Sequence, residues 1–119
     1  DRTGQQNALS FAWYADIARD LGDRTAADAR AHCKLYHGVR MLHTENEPFR
    51  MSWDRLIKDR FTLEEKLELM LPPHDYPVSR LMTVRQMTAY LDGISREFTA
   101  QGVRLTDPEA LKYQSEFQT

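Results

Sequence analysis

The chain has 119 residues, of which 41% are hydrophobic and 29% charged, and its formal net charge is −2. This size and balance predict one domain spanning residues 1–119, with a hydrophobic core. The near-neutral charge excludes a global attraction to nucleic acid, so DNA binding would need a local basic face. No apolar run is long enough for a transmembrane helix, so we expect no membrane partner. A single cysteine, Cys33, excludes an internal disulfide and is typical of the cytoplasm, where we place the protein.

The first predicted helix covers residues 5–21 and is apolar on two sides. Leu9, Trp13 and Ile17 recur at steps of four, and Phe11 begins a second apolar stripe. A helix with two apolar sides is either central in its fold or packed between two partners.

A second predicted helix begins at Thr25, has Asp28 at the capping-box position and ends at Gly38. Arg30 and Lys34 lie one helical turn apart and form a basic stripe on it. Two interpretations stay open: a solvated face of long cationic side chains, or a surface that contacts phosphates.

The middle of the chain predicts an extended segment at residues 39–42, followed by a third helix that starts at the Asn46-Glu47-Pro48 sequence. Arg50 is spaced to pair with Asp54 within this helix. Basic residues near its end form a second patch, favoured by the helix dipole. The patch consists of Arg55, Lys58 and Arg60.

A short fourth helix is predicted from Thr62 to the Pro72-Pro73 pair, and residues 74–81 predict an extended, exposed connector. A long helix then covers residues 83–102. Its apolar side chains recur at alternating steps of three and four. They are Val84, Met87, Leu91, Ile94 and Phe98.

This long stripe predicts a core helix, although a dimer contact stays open because helix-pairing seams have the same spacing. Thr83 and Gln86 form a capping box at its start, and Gly102 closes its end. A last helix begins at the Thr106-Asp107-Pro108 sequence and reaches toward Phe117. The elements together predict a mainly α, compact multi-helix domain.

The sequence does not favour a catalytic or metal site. Cys33 and His37 lie one helical turn apart, but two ligands do not complete a tetrahedral shell. No HExxH, CxxC or GxSxG motif is present. We therefore expect no metal, no cofactor and no enzymatic activity, and a metal-dependent nuclease is the least favoured function.

Binding is the favoured class, because cationic side chains beside aromatic rings can hold a single strand without sequence preference. Tyr36 and Trp53 lie near the two basic stripes, yet both fall on helix sides assigned to the core. We therefore favour core packing for these two rings.

Two segments resemble the NinB or Orf family, the recombination mediators of lambdoid phages. The sequence RTGQQN at residues 2–7 is similar to the RSxxQN start of a family helix. The segment SRLMTVRQMTAYLDGISREFTAQGVRLTDPEA at residues 79–110 resembles a family helix that ends in a GVK-x-SD turn, here residues 102–107. The family's sheet-forming N-terminal segment is absent, so we expect a fragment with a missing or short N-terminal β element.

The resemblance implies a homodimeric, non-enzymatic DNA-binding accessory to phage recombination in the bacterial host cytoplasm. Such proteins prefer single-stranded or gapped DNA and help a recombinase load where single-strand-binding protein blocks it. The motif residues that carry over are Arg2, Gln6, Asn7 and the turn at residues 102–107. A dimer core, or the missing sheet, would also cover apolar stripes that a helical monomer of this length does not readily cover.

The predicted DNA-binding residues combine the family motif with the basic stripes. They are Arg2, Gln6, Asn7, Arg30, Lys34, Arg40, Arg50, Arg55 and Lys58. The alternative is a protein-interaction module without DNA contact, which docks a replication or recombination partner, for instance by binding the partner's acidic tail.

Overall fold

A computed structural model describes residues 2–111, and at residues 2 and 3 the backbone alone. The predicted mainly α, compact fold is confirmed, and the described residues contain no strand. None of the helices in this part of the chain has the length and apolar character needed to cross a membrane. The α-helices are α1 (Arg2–Leu21), α2 (Ala26–Cys33), α3 (Arg40–Glu45), α4 (Glu47–Leu56), α5 (Leu63–Leu69) and α6 (Val84–Ala100).

Side-chain caps begin four of these helices, as the local sequence predicts. Thr25, Thr62 and Thr83 each form a capping box with the residue three positions on, at the starts of α2, α5 and α6. Asn46 caps α4 by accepting a hydrogen bond from the backbone N–H of Phe49. Each cap satisfies amide groups that have no partner within the helix.

The predicted end of the second helix at Gly38 is wrong, and so is the extended segment at residues 39–42. A π-helical segment, Lys34–Val39, follows α2 directly and runs into α3, so that the chain stays helical from Ala26 to Glu45. Gly38 is buried in this segment, where an added Cβ would overlap Cγ1 of Val78. The glycine therefore allows close packing and does not end a helix.

The first hydrophobic cluster lies between α1, α2 and α6. Four residues of the α6 stripe are buried in it against Leu9, Trp13 and Ile17 of α1; they are Met87, Leu91, Ile94 and Phe98. The core interpretation of the α6 stripe is confirmed, because a single chain covers it together with the first stripe of α1. Phe11, which begins the second stripe of α1, is exposed.

The second cluster joins the π-helical segment, α3 and α4 to the connector after α5. Trp53 is buried and stacks on Phe49 at 5.8 Å, which confirms its assignment to the core. The connector was predicted to be extended and exposed, but Val78 is buried and Tyr76 packs edge-on against both rings. A 3-10 turn, Ser79–Leu81, then leads into α6.

A last helical stretch begins after Asp107, whose carboxylate accepts from the backbone N–H of Glu109. Residues 108–111 are helical, which confirms the predicted start. The predicted extension toward Phe117 lies outside the described residues.

Candidate functional site

The π-helical segment brings two histidines onto one carboxylate of α6. His32 Nε2 lies 2.8 Å from Oε2 of Glu97, and His37 Nε2 lies 2.6 Å from its Oε1. In an α-helix, residues five apart point in directions that differ by about 140°. The wider π turn, with its hydrogen bonds between residues five apart, brings such positions to the same side.

Glu97 is held as a carboxylate by this arrangement. Its partial burial raises its pKa, but hydrogen bonds from His37 and His32 outweigh burial and bring the pKa below its ordinary value. Gly93 lies on α6, as Glu97 does, and faces His37. A Cβ added at Gly93 would lie 2.8 Å from the Nδ1 atom of the imidazole. The missing side chain therefore lets α6 approach closely enough for the contact.

His32 links this cluster to an aromatic ring on the surface. Its imidazole packs against the ring of Tyr36 at 4.5 Å and edge-on against buried Phe98 at 5.5 Å. Tyr36 itself is 39% exposed, contrary to the favoured prediction that it packs in the core. It is thus an exposed ring whose position is fixed by a neighbour that Glu97 anchors.

An open cleft of about 620 Å³ lies beside these residues, between the π-helical segment with α3 on one wall and α6 on the other. Arg40 and Arg96 are exposed side chains on opposite walls, and neither guanidinium has a hydrogen-bond or ion-pair partner among the described residues. The polar and aromatic groups along the cleft include Tyr36, His37, Arg40, Glu45, Arg96 and Glu97.

The predicted basic stripe of α2 is not a free cationic face. Lys34 is buried, and its ammonium donates to Asp75 at 2.7 Å and to the carbonyl oxygen of Met70 at 3.2 Å. Arg30 donates to the same Asp75 carboxylate at 2.6 Å and lies over the ring of Phe11. The prediction that Lys34 meets phosphates at the surface is therefore wrong, because Met70 at the end of α5 and Asp75 in the connector after it cover the ammonium.

Asp75 is the common partner of both cations. Hydrogen bonds from Lys34 and Arg30 lower the pKa of Asp75 to about 2. Burial lowers the pKa of Lys34, and the hydrogen bond that its ammonium donates to Asp75 acts in the opposite direction. The three groups form a tether between α2 and the connector.

The basic residues of α4 and of the turn that follows it divide into two kinds. Arg50 donates to the carbonyl oxygen of His43, while Asp54 accepts from the His43 ring at 2.7 Å, so the predicted Arg50–Asp54 pair is wrong. Arg55 and Lys58 are exposed, and their charged ends have no partner within residues 2–111. These two positions keep the properties that the sequence predicted.

Of the N-terminal residues that carry the resemblance, Gln6 lies at an α1–α6 contact. Gln6 donates to the Thr88 hydroxyl at 2.9 Å, and the carbonyl oxygen of Asn7 accepts from Ser10 while its side chain is exposed. The side chain of Arg2 lies outside the described part of the chain. Gln6 therefore has a structural partner, which its sequence position alone did not indicate.

The turn at residues 102–107 docks on α1. Asp16 accepts from the backbone N–H of Thr106 at 2.6 Å and from its hydroxyl at 2.7 Å. Asp20 accepts from the backbone N–H of Arg104 at 2.8 Å, and Trp13 donates to the carbonyl oxygen of Thr106. The two segments that carry the resemblance thus pack against each other.

No group of three metal-binding side chains occurs within the described residues. Cys33 lies in the first hydrophobic cluster, where burial raises its pKa well above the ordinary value. It does not share a site with His37, which bonds to Glu97. The sequence did not predict the pairing of His32 with His37, because residues five apart lie on different sides of an α-helix. The five-residue spacing would have indicated a shared side only if the helix had been expected to continue through Gly38 with a π turn.

Comparison with family models, with curated proteins and with solved structures gives no match.

Proposed function

We propose that this chain is a non-enzymatic, DNA-binding accessory protein of phage recombination that prefers single-stranded or gapped DNA. The resemblance at residues 2–7 and 79–110 supports the biological role. The observation that carries DNA binding is the set of exposed cationic side chains without protein partners in the described structure. These include Arg40, Arg55, Lys58 and Arg96.

The proposed DNA surface differs from the one that the sequence predicted. Arg30 and Lys34 share Asp75 as a counter-charge, so they are poor partners for phosphates. Arg40 stays a candidate and gains Arg96 as a neighbour across the cleft. With a net charge of −2, attraction to DNA is local, so affinity depends on a few phosphate contacts.

A fluorescence-anisotropy titration with labelled single-stranded and duplex oligonucleotides tests this proposal. For four phosphate contacts, single-strand affinity is expected to fall about 50-fold between about 50 mM and about 200 mM salt, because counterions are released on binding. The double variant Arg55→Gln/Lys58→Gln should bind more weakly and with a shallower salt dependence. Absence of binding at the lower salt concentration would overturn the proposal.

The same role includes a homodimer and contacts with single-strand-binding protein or a recombinase, both supported by the resemblance. The second candidate is a protein-interaction module without DNA contact. Exposed apolar side chains favour it, because Met51 and Leu56 lie on the same helix as the free Arg55. Arg55→Glu/Lys58→Glu would abolish partner binding in this case, while the parent protein would bind no DNA at all.

A further inference from the structure

The cleft between α3 and α6 has two positive groups that are available to a ligand. Arg40 and Arg96 lie on opposite walls, and their guanidinium groups carry a permanent charge. The two carboxylates of the cleft already have partners. Glu97 bonds to two imidazoles. Glu45 accepts a hydrogen bond from Gln86 and lies 3.9 Å from the guanidinium of Arg85. An anionic ligand is therefore attracted to the two unpaired arginines.

The cleft also presents an aromatic surface. The ring of Tyr36 lines the cleft, and its inner contact with His32 restricts its movement. A partly exposed ring whose movement is already restricted loses little entropy when a flat, apolar group stacks on it. The cleft thus combines an aromatic surface with paired cations, the combination that single-stranded nucleic acid requires.

We infer that this cleft binds one nucleotide of a DNA single strand, with the base stacked on Tyr36 and the adjacent phosphate between Arg40 and Arg96. The inference rests on the proposed DNA binding and names its site. A volume of about 620 Å³ suits a ligand of this size. A base in a duplex is paired and stacked and cannot enter, so the cleft selects single strands.

The test compares cleft variants with a control outside the cleft. Tyr36→Leu, Arg40→Gln and Arg96→Gln change the cleft, whereas Arg80→Gln removes an exposed arginine that does not line it. Binding is measured by anisotropy with a fluorescein-labelled oligothymidylate of about 16 nucleotides and with a duplex of equal length. Circular dichroism confirms that each variant is folded.

Tyr36→Leu is expected to weaken single-strand binding about tenfold, through loss of base stacking, and to leave duplex binding unchanged. Arg40→Gln and Arg96→Gln should each weaken binding and reduce the salt slope for a single strand by about 0.7. Arg80→Gln should stay within about twofold of the parent, because it removes no contact to the bound nucleotide.

A photocrosslink gives a second readout that needs no variant. An oligonucleotide with 5-iododeoxyuridine should crosslink to Tyr36, identified by mass spectrometry of the digested protein. A parent protein that binds no DNA would overturn the proposed function. A parent that binds single strands but whose Tyr36→Leu variant binds equally well, with a crosslink elsewhere, would overturn this inference alone.

Discussion

Lys34 combines a positive charge with almost complete burial, and such a charge is tolerated only when it is paired and hydrogen-bonded. The Asp75 carboxylate and the Met70 carbonyl oxygen supply these partners. Because Asp75 is half-exposed, water screens the attraction in part, and the pair is worth less than a fully buried one. Its effect is to hold the connector against α2.

Asp75→Asn tests this tether at the scale of one residue. Asp75 has a φ of 43°, a region that asparagine tolerates, so the variant removes the charge without straining the backbone. We expect a loss of about 2 kcal/mol in the free energy of unfolding near neutral pH, between the values for buried and exposed pairs. Urea denaturation measures it.

The pH dependence supplies the control for this variant. The folded pKa of Asp75, about 2, lies below its ordinary 3.8, so the unfolded state binds more protons as the medium is acidified. The stabilisation is present above about pH 4 and is lost as pH falls toward 2. The difference between parent and Asp75→Asn should therefore shrink at low pH. If the difference in the free energy of unfolding were the same at neutral pH as at about pH 2, that result would contradict the ion pair.

At the scale of elements, Gly38 sets how closely the π-helical segment approaches the connector. Gly38→Ala gains up to about 1 kcal/mol in helix propensity but forces its Cβ against Cγ1 of buried Val78. Overpacking of this kind costs about 1–3 kcal/mol, so we expect net destabilisation, measured by thermal and urea unfolding.

A double-mutant cycle with Val78 tests this explanation, because Val78→Ala removes the methyl groups that the new Cβ would contact. Val78→Ala alone leaves a cavity and destabilises the protein. Combined with Gly38→Ala, the two changes should cost less than their sum, because the new methyl group occupies space that the valine vacates. Strict additivity would show that the two positions do not compete for that space.

At the scale of the whole molecule, each chain buries the apolar stripe of α6 against its own α1. A homodimer, proposed from the resemblance, must then use another surface and is not needed to complete this core. We expect dilution to dissociate such a dimer without unfolding its chains. Light scattering would report the fall in mass, and circular dichroism would keep its helical signal. Loss of helix at the dilution that halves the mass would contradict this expectation.

The sequence predicted those features that depend on neighbours three or four residues away. The capping threonine Thr83 and the buried stripe of α6 are of this kind, since both follow from the geometry of one helix. The predictions for Gly38 and Lys34 were wrong, because the surroundings of both residues depend on the connector, some forty residues further along the chain. The cleft was missed because Arg96 and Arg40 come together only when α6 docks.

A π turn holds one residue more than the α turn that it replaces, so Lys34–Val39 corresponds to a helix with a single inserted position. Deleting one residue between His32 and His37 would restore a regular α-helix and leave the two histidines four residues apart, a spacing that still places them on one side. In evolution, this segment should therefore tolerate the loss of one position, because the residues on either side of it keep their directions. Related chains that lack the π turn are expected to be one residue shorter between Thr25 and Asn46 and to keep both histidines, and an alignment would reveal that gap.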